Sequence, residues 1–120
     1  MGAHILLVED NPFASGALRI LFEETGHDVT VAASAAEAIA AATRSRPDVM
    51  LLDLGLPDAD GLTVLHALGP RGLAPRYTIA LTGDADEATV ARCRAAGCHS
   101  VLLKPVSPRI LLASVAEAIG

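Results

Sequence analysis

"VMLLDLGLPDADG", residues 49–61, begins as an apolar run of strand length and breaks at Asp53 into Gly, Pro and more acid. An apolar run without alternation is how a strand buried on both faces reads. Similar runs recur as "HILLV" (4–8), "DVTVA" (28–32), "YTIAL" (77–81) and "SVLLK" (100–104). The segments between them carry helical spacing. In "PFASGALRILFEETG" (12–26), Phe13, Leu18, Leu21 and Phe22 are expected to share a face, with Gly26 as the stop. "SAAEAIAAATRSRP" (34–47) opens with a capping box, Ser34 and Glu37, and ends at Pro47. "GLTVLHALG" (61–69) is a shorter third helix and "DADEATVARCRAAG" (84–97) a fourth. A fifth, "SPRILLASVAEAIG" (107–120), has Ser107 as N-cap before Pro108 at the first helical position. "GPRGLAPR" (69–76) reads as a surface loop.

Five strands alternating with five helices predict an α/β fold: a (βα)5 doubly wound parallel sheet with both faces covered by right-handed crossovers. The whole of 1–120 is expected to be one domain. In the flavodoxin-like strand order 2-1-3-4-5, the first and third strands are neighbours, and ligands sit beyond the carboxyl ends of the strands.

Composition narrows the function. The chain is 52% apolar but only 2% aromatic and has no Trp, so the core is expected to be aliphatic. Nine basic against fourteen acidic residues give a net charge of -5, which offers no basic footprint for nucleic acid. The longest stretch free of charged residues is the ten from Gly61 to Pro70, whereas a membrane span needs about 20 apolar ones. The opening "MGAHILLVED" has no charged leader region, and Leu6 is not the residue a myristoylation signal requires, so a cytoplasmic location is expected. Cys93 and Cys98 match no metal or redox spacing and are read as buried or half-buried free thiols. His4, His27, His66 and His99 have no metal-ligand spacing either.

The strand ends carry the chemistry. The first strand is expected to end in Glu9 and Asp10, the third in Asp53, the fourth in Thr82, and the fifth in Lys104 followed by Pro105. Taken singly each has a plain reading: Asp53 as a turn former, Glu9, Asp10 or Asn11 as a helix cap, Thr82 as a strand residue, Lys104 as a solvated end. Together, in the expected strand order, three carboxylates converge. Like charges so close are unfavourable, and an all-oxygen donor set suits a hard divalent cation such as Mg²⁺, with Mn²⁺ as a substitute. A hydroxyl and an ammonium beside Asp53 would compensate negative charge arriving at that carboxylate, as phosphoryl transfer requires.

These residues resemble the receiver domains of two-component response regulators and hybrid histidine kinases. The resemblance covers essentially the whole chain and rests on "VEDN" (8–11), "LLDLGLPDADG" (51–61), "LTG" (81–83) and "LLKP" (102–105), in family order and spacing. It implies that Asp53 is the phosphoacceptor, Asp10 a direct Mg²⁺ ligand, Glu9 a metal-site acid acting through water, and Gly55 a backbone carbonyl ligand. By the same resemblance Thr82 and Lys104 hold the phosphoryl oxygens, and the Lys104-Pro105 bond is cis, while Pro57 and Gly61 are loop formers. The implied partner is a sensor histidine kinase or a histidine phosphotransfer domain, and the face of the fourth helix, fifth strand and fifth helix is a place for dimerisation.

The chain also departs from the family. Many receivers carry an aromatic residue three positions before the lysine; here stands Val101, too short and too restricted at χ1 for a rotamer switch. Val106 replaces a second frequent aromatic. The weakened switch favours a relay role, and "VEDN" with the absent aromatic favours a hybrid or single-domain context. Gly55 leaves the approach to Asp53 without a shielding side chain, and Asp84 sets an acid at the rim. The expected function is a Mg²⁺-dependent phosphoacceptor, not an enzyme, with only its own phosphorylation and dephosphorylation self-catalysed. The alternatives are a pseudo-receiver that never takes phosphate and an aspartyl-nucleophile phosphatase; the latter needs a second acid where Gly55 stands.

Overall fold

In the computed structural model, which describes residues 2–120, strand and helix alternate from the first element to the last. Met1, the first residue of the expected domain, lies outside the described residues. The strands are β1 (His4–Val8), β2 (Asp28–Ala32), β3 (Val49–Asp53), β4 (Tyr77–Thr82) and β5 (Ser100–Leu103). The helices are α1 (Pro12–Glu24), α2 (Ala35–Arg44), α3 (Leu62–Leu68), α4 (Glu87–Ala96) and α5 (Pro108–Ile119). All neighbouring strands run parallel, in the order β2-β1-β3-β4-β5 predicted from the sequence. No helix among the described residues is long and apolar enough to cross a membrane.

Because alternate strand residues face opposite sides, unbroken apolar runs supply two cores. Leu6, Val8, Met50, Leu52 and Ala80 pack against α2, α3 and α4; Ile5, Leu7, Leu51, Ile79 and Leu81 pack against α1 and α5. Four alanines of α2 are buried, and their small side chains bring that helix close to the sheet.

The caps follow the sequence reading. Asn11 accepts from the amides of Phe13 and Ala14, so neither Glu9 nor Asp10 is the side chain capping α1. The Ser34 hydroxyl accepts from the Glu37 amide, the Ser107 hydroxyl from that of Ile110, and Gly26 takes a left-handed φ of 93° just past α1. The loop 69–76 begins with a short 3₁₀ turn, Gly69–Arg71.

One expectation fails. Phe13 is 88% exposed while Phe22 is fully buried, and the buried stripe of α1 passes through Ser15 instead. At 3.6 residues per turn, nine residues of separation put Phe13 about 180° from Phe22, whereas Ser15 lies about 20° away. Two strand ends also shift by a residue. β4 runs one residue past 77–81, to the Thr82 expected at its tip, and β5 stops at Leu103, one short of Lys104.

Candidate functional site

The register sets the strand tips side by side. Val8 pairs with Leu52, Asp53 with Leu81 and Thr82 with Leu103, so the residues following β1, ending β3 and β4, and following β5 open on one edge of the sheet. Beyond β1 the chain stays tied, the Glu9 amide donating to the Ala32 carbonyl, and beyond β5 the Lys104 amide donates to the Thr82 carbonyl at 2.7 Å.

Glu9, Asp10 and Asp53 converge there. Each offers a carboxylate oxygen, and the three atoms lie within 4.8 Å of one another. Asp53 is buried, Glu9 half-buried and Asp10 exposed. Partial burial raises the pKa of Glu9, the Asn11 amide that it accepts opposes this, and the negative charge of Asp53 raises it further. Such crowding of like charge, with oxygen donors only, is the chemistry of a hard divalent cation site, so the residues present fit Mg²⁺.

Lys104 compensates from the other side. Its Nζ donates to Asp53 Oδ2 at 2.8 Å, while Asp53 Oδ1 accepts the Gly55 amide at 2.9 Å. Both oxygens of a nearly buried carboxylate are thereby hydrogen-bonded, as a buried polar group requires. Thr82 lines the same cleft, of about 550 Å³, but its hydroxyl is engaged with the Asp84 backbone, donating to the carbonyl and accepting from the amide at 3.1 Å each. The Lys104-Pro105 bond is cis.

The loop after β3 is shaped by its small residues. A Cβ on Gly61 would lie 2.4 Å from the Asp53 carbonyl oxygen and 2.8 Å from the Leu54 Cα, so no side chain fits. At Gly55 the nearest atom to an added Cβ is Asp53 Oδ1, at 3.8 Å, an ordinary van der Waals contact. Pro57 is exposed in the loop, and Val101 is half-buried against the core beneath α4.

Three residues here escaped the sequence reading. Asp58 accepts from the amides of Ala35 and Ala36, at 2.9 and 3.1 Å, capping α2 from 23 and 22 residues away. Asp60 accepts the Leu62 amide at 2.9 Å, and Arg92 of α4 donates to its other oxygen at 3.3 Å. An Asp before "GLT" is a legible cap signal; the reach of Asp58 and Arg92 is not local and left none. The histidines stand apart from the site. His4 hydrogen-bonds Thr30, and the rings of His27 and His99 accept the amides of Ala3 and Thr78.

Known proteins with this arrangement are numerous. The response regulator receiver domain family matches residues 5–116. The transcriptional regulatory protein KdpE of Mycobacterium tuberculosis is 35% identical over 96% of this chain, which spans only 50% of that protein's length. The polar-differentiation response regulator DivK of Brucella ovis is 33% identical, the match covering 92% of each chain. Among solved structures, the CheY-like receiver domain protein of Methanospirillum hungatei is similar with a TM-score of 0.87 and 30% identity, over 98% of this chain and 93% of that one. The receiver domain of sensor histidine kinase PA1611 from Pseudomonas aeruginosa, which holds a magnesium ion in its active site cleft, gives 0.87 and 31% over 100% and 99%. Fold, strand-tip chemistry and these likenesses agree: the chain belongs to the response regulator receiver domain family of two-component systems.

Proposed function

We propose that this chain is a Mg²⁺-dependent phosphoacceptor in which Asp53 takes a phosphoryl group from a phosphohistidine. The observation that carries the reading is the Asp53 carboxylate itself, bonded to Lys104 at 2.8 Å and within 4.8 Å of the Glu9 and Asp10 oxygens. One Asp53 oxygen forms the new bond to phosphorus as the histidine nitrogen leaves with the bonding electron pair. Hydrolysis of the resulting acyl phosphate, or its transfer onward, returns the carboxylate. Asp10, Asp53 and the Gly55 carbonyl would hold Mg²⁺, with Glu9 as the outer acid; the ion supplies charge neutralisation between carboxylates and phosphoryl oxygens. Lys104 balances negative charge on the opposite side, and Thr82 reaches the phosphoryl group by releasing Asp84.

The donor is a sensor histidine kinase or a histidine phosphotransfer domain. Val101 leaves no aromatic rotamer to report phosphorylation, which supports a relay role. Incubation with acetyl phosphate and Mg²⁺, followed by intact mass, tests this directly: the wild type gains one phosphoryl group and Asp53→Asn gains none. A wild type left unmodified favours the pseudo-receiver reading, and labelling of Asp53→Asn removes Asp53 from its role. Turnover of a small phosphate ester would support the phosphatase alternative, which lacks its second acid at Gly55.

A further inference from the structure

Gly55 leaves Asp53 without a neighbouring side chain to obstruct water, yet the mouth of the cleft beside it is not bare. Arg92 reaches across from α4, and its guanidinium, which lines the same cleft as Asp53, Thr82 and Lys104, pairs with Asp60 at 3.3 Å. Asp60 belongs to the loop that carries Gly55, and the two residues form an isolated antiparallel bridge. The Gly55 amide in turn donates to Asp53. One run of polar contacts therefore leads from α4 through Arg92, Asp60 and Gly55 to the Asp53 carboxylate.

We infer that Arg92 and Asp60 form a strap over the open side of the Asp53 cleft, with Arg92 as a positioning residue that slows loss of the phosphoryl group and couples the site to α4. The inference rests on the phosphoacceptor reading for its kinetic consequence. In the step affected, a water oxygen bonds to phosphorus, the bond from phosphorus to the Asp53 oxygen breaks with its electron pair returning to the carboxylate, and the water proton leaves to solvent. The strap narrows the approach of that water and holds the loop against α4. Because α4 follows directly on the segment Thr82 to Asp86, the strap gives the site a second link to that helix, in a chain whose Val101 has no aromatic ring to turn.

Both partners are about half exposed, at 57% and 46%, so the pair contributes little to folding and its variants should fold. The test follows decay of the acetyl-phosphate-labelled protein after the donor is removed, for wild type, Arg92→Ala, Arg92→Lys, Asp60→Asn and the Ala/Asn double variant. Arg92→Ala and Asp60→Asn are each expected to lose phosphate about two to five times faster, the scale of one exposed ion pair. The double variant should be no faster than either single one, and Arg92→Lys should lie closer to wild type. Wild-type decay in Arg92→Ala, or multiplicative effects in the double variant, overturns the strap. A wild type that takes no label overturns the phosphoacceptor reading instead. The strap is then judged by amide exchange at Leu62 and Gly55, which Arg92→Ala should accelerate; unchanged exchange overturns it.

Discussion

At the scale of single residues, two glycines six positions apart do opposite things. Gly61 is there because a methyl group would strike the backbone of Asp53 and Leu54, at 2.4 and 2.8 Å. Gly61→Ala should therefore cost about 1–3 kcal/mol of stability, the usual penalty of overpacking, measurable by urea denaturation. Gly55 faces only Asp53 Oδ1 at 3.8 Å, so the Cβ of Gly55→Arg meets no obstacle, and the variant should slow phosphoryl loss by covering the site. An unchanged decay rate would refute that. The two phenylalanines of α1 part in the same way: Phe22→Ala should cost about 3–5 kcal/mol, and Phe13→Ala less than about 0.5. Helical spacing made both look like core, and only the angle between them around the helix axis separates them. The cysteines meet expectation as buried free thiols. Burial pushes the Cys98 thiol up to about 12, so the native protein should resist iodoacetamide at mildly alkaline pH and react only once unfolded.

At the scale of elements, α2 shows how local and distant signals share one task. Ser34 takes the Glu37 amide, as the capping box in the sequence foretold, while Asp58 takes those of Ala35 and Ala36. Three of the four orphan amides at this helix start are thus satisfied, and the loop after β3 is pinned to α2. The Ala35 amide first, then that of Ala36, lowers the Asp58 pKa. A carboxylate depressed in the folded state stabilises above its unfolded pKa, and the contribution is lost as pH falls through the folded value. Asp58→Ala should remove that part of the acid sensitivity and expose the Ala35 and Ala36 amides to faster exchange. Equal exchange in both proteins would mean that Asp58 caps nothing in solution.

At the scale of the whole molecule, the sheet brings together acids that repel. The raised pKa of Glu9, from burial first and Asp53 second, means that the folded, metal-free protein takes up a proton there more readily than the unfolded chain. Lowering pH from about 7 toward the ordinary carboxylate range should relieve this repulsion. Proton and Mg²⁺ compete for the same charge, so thermal stabilisation by Mg²⁺ should shrink over that window, and Glu9→Gln should flatten both dependences. At a hundredfold excess over its dissociation constant, Mg²⁺ should add about 2.7 kcal/mol, measurable as a rise in melting temperature that Asp10→Asn reduces. What the sequence determined by itself was whatever needs only short-range pattern. Apolar runs of strand length, helix caps and the acid, threonine and lysine at the strand ends could all be read in order, and with βα alternation they implied the sheet. The three-dimensional packing alone decided which face of α1 is buried, that the Thr82 hydroxyl turns to Asp84, that Asp58 caps α2, and that Arg92 meets Asp60 across 32 residues of chain. Long-range contacts like the last two depend on where distant elements come to rest, and no pattern within a single turn or strand encodes that distance.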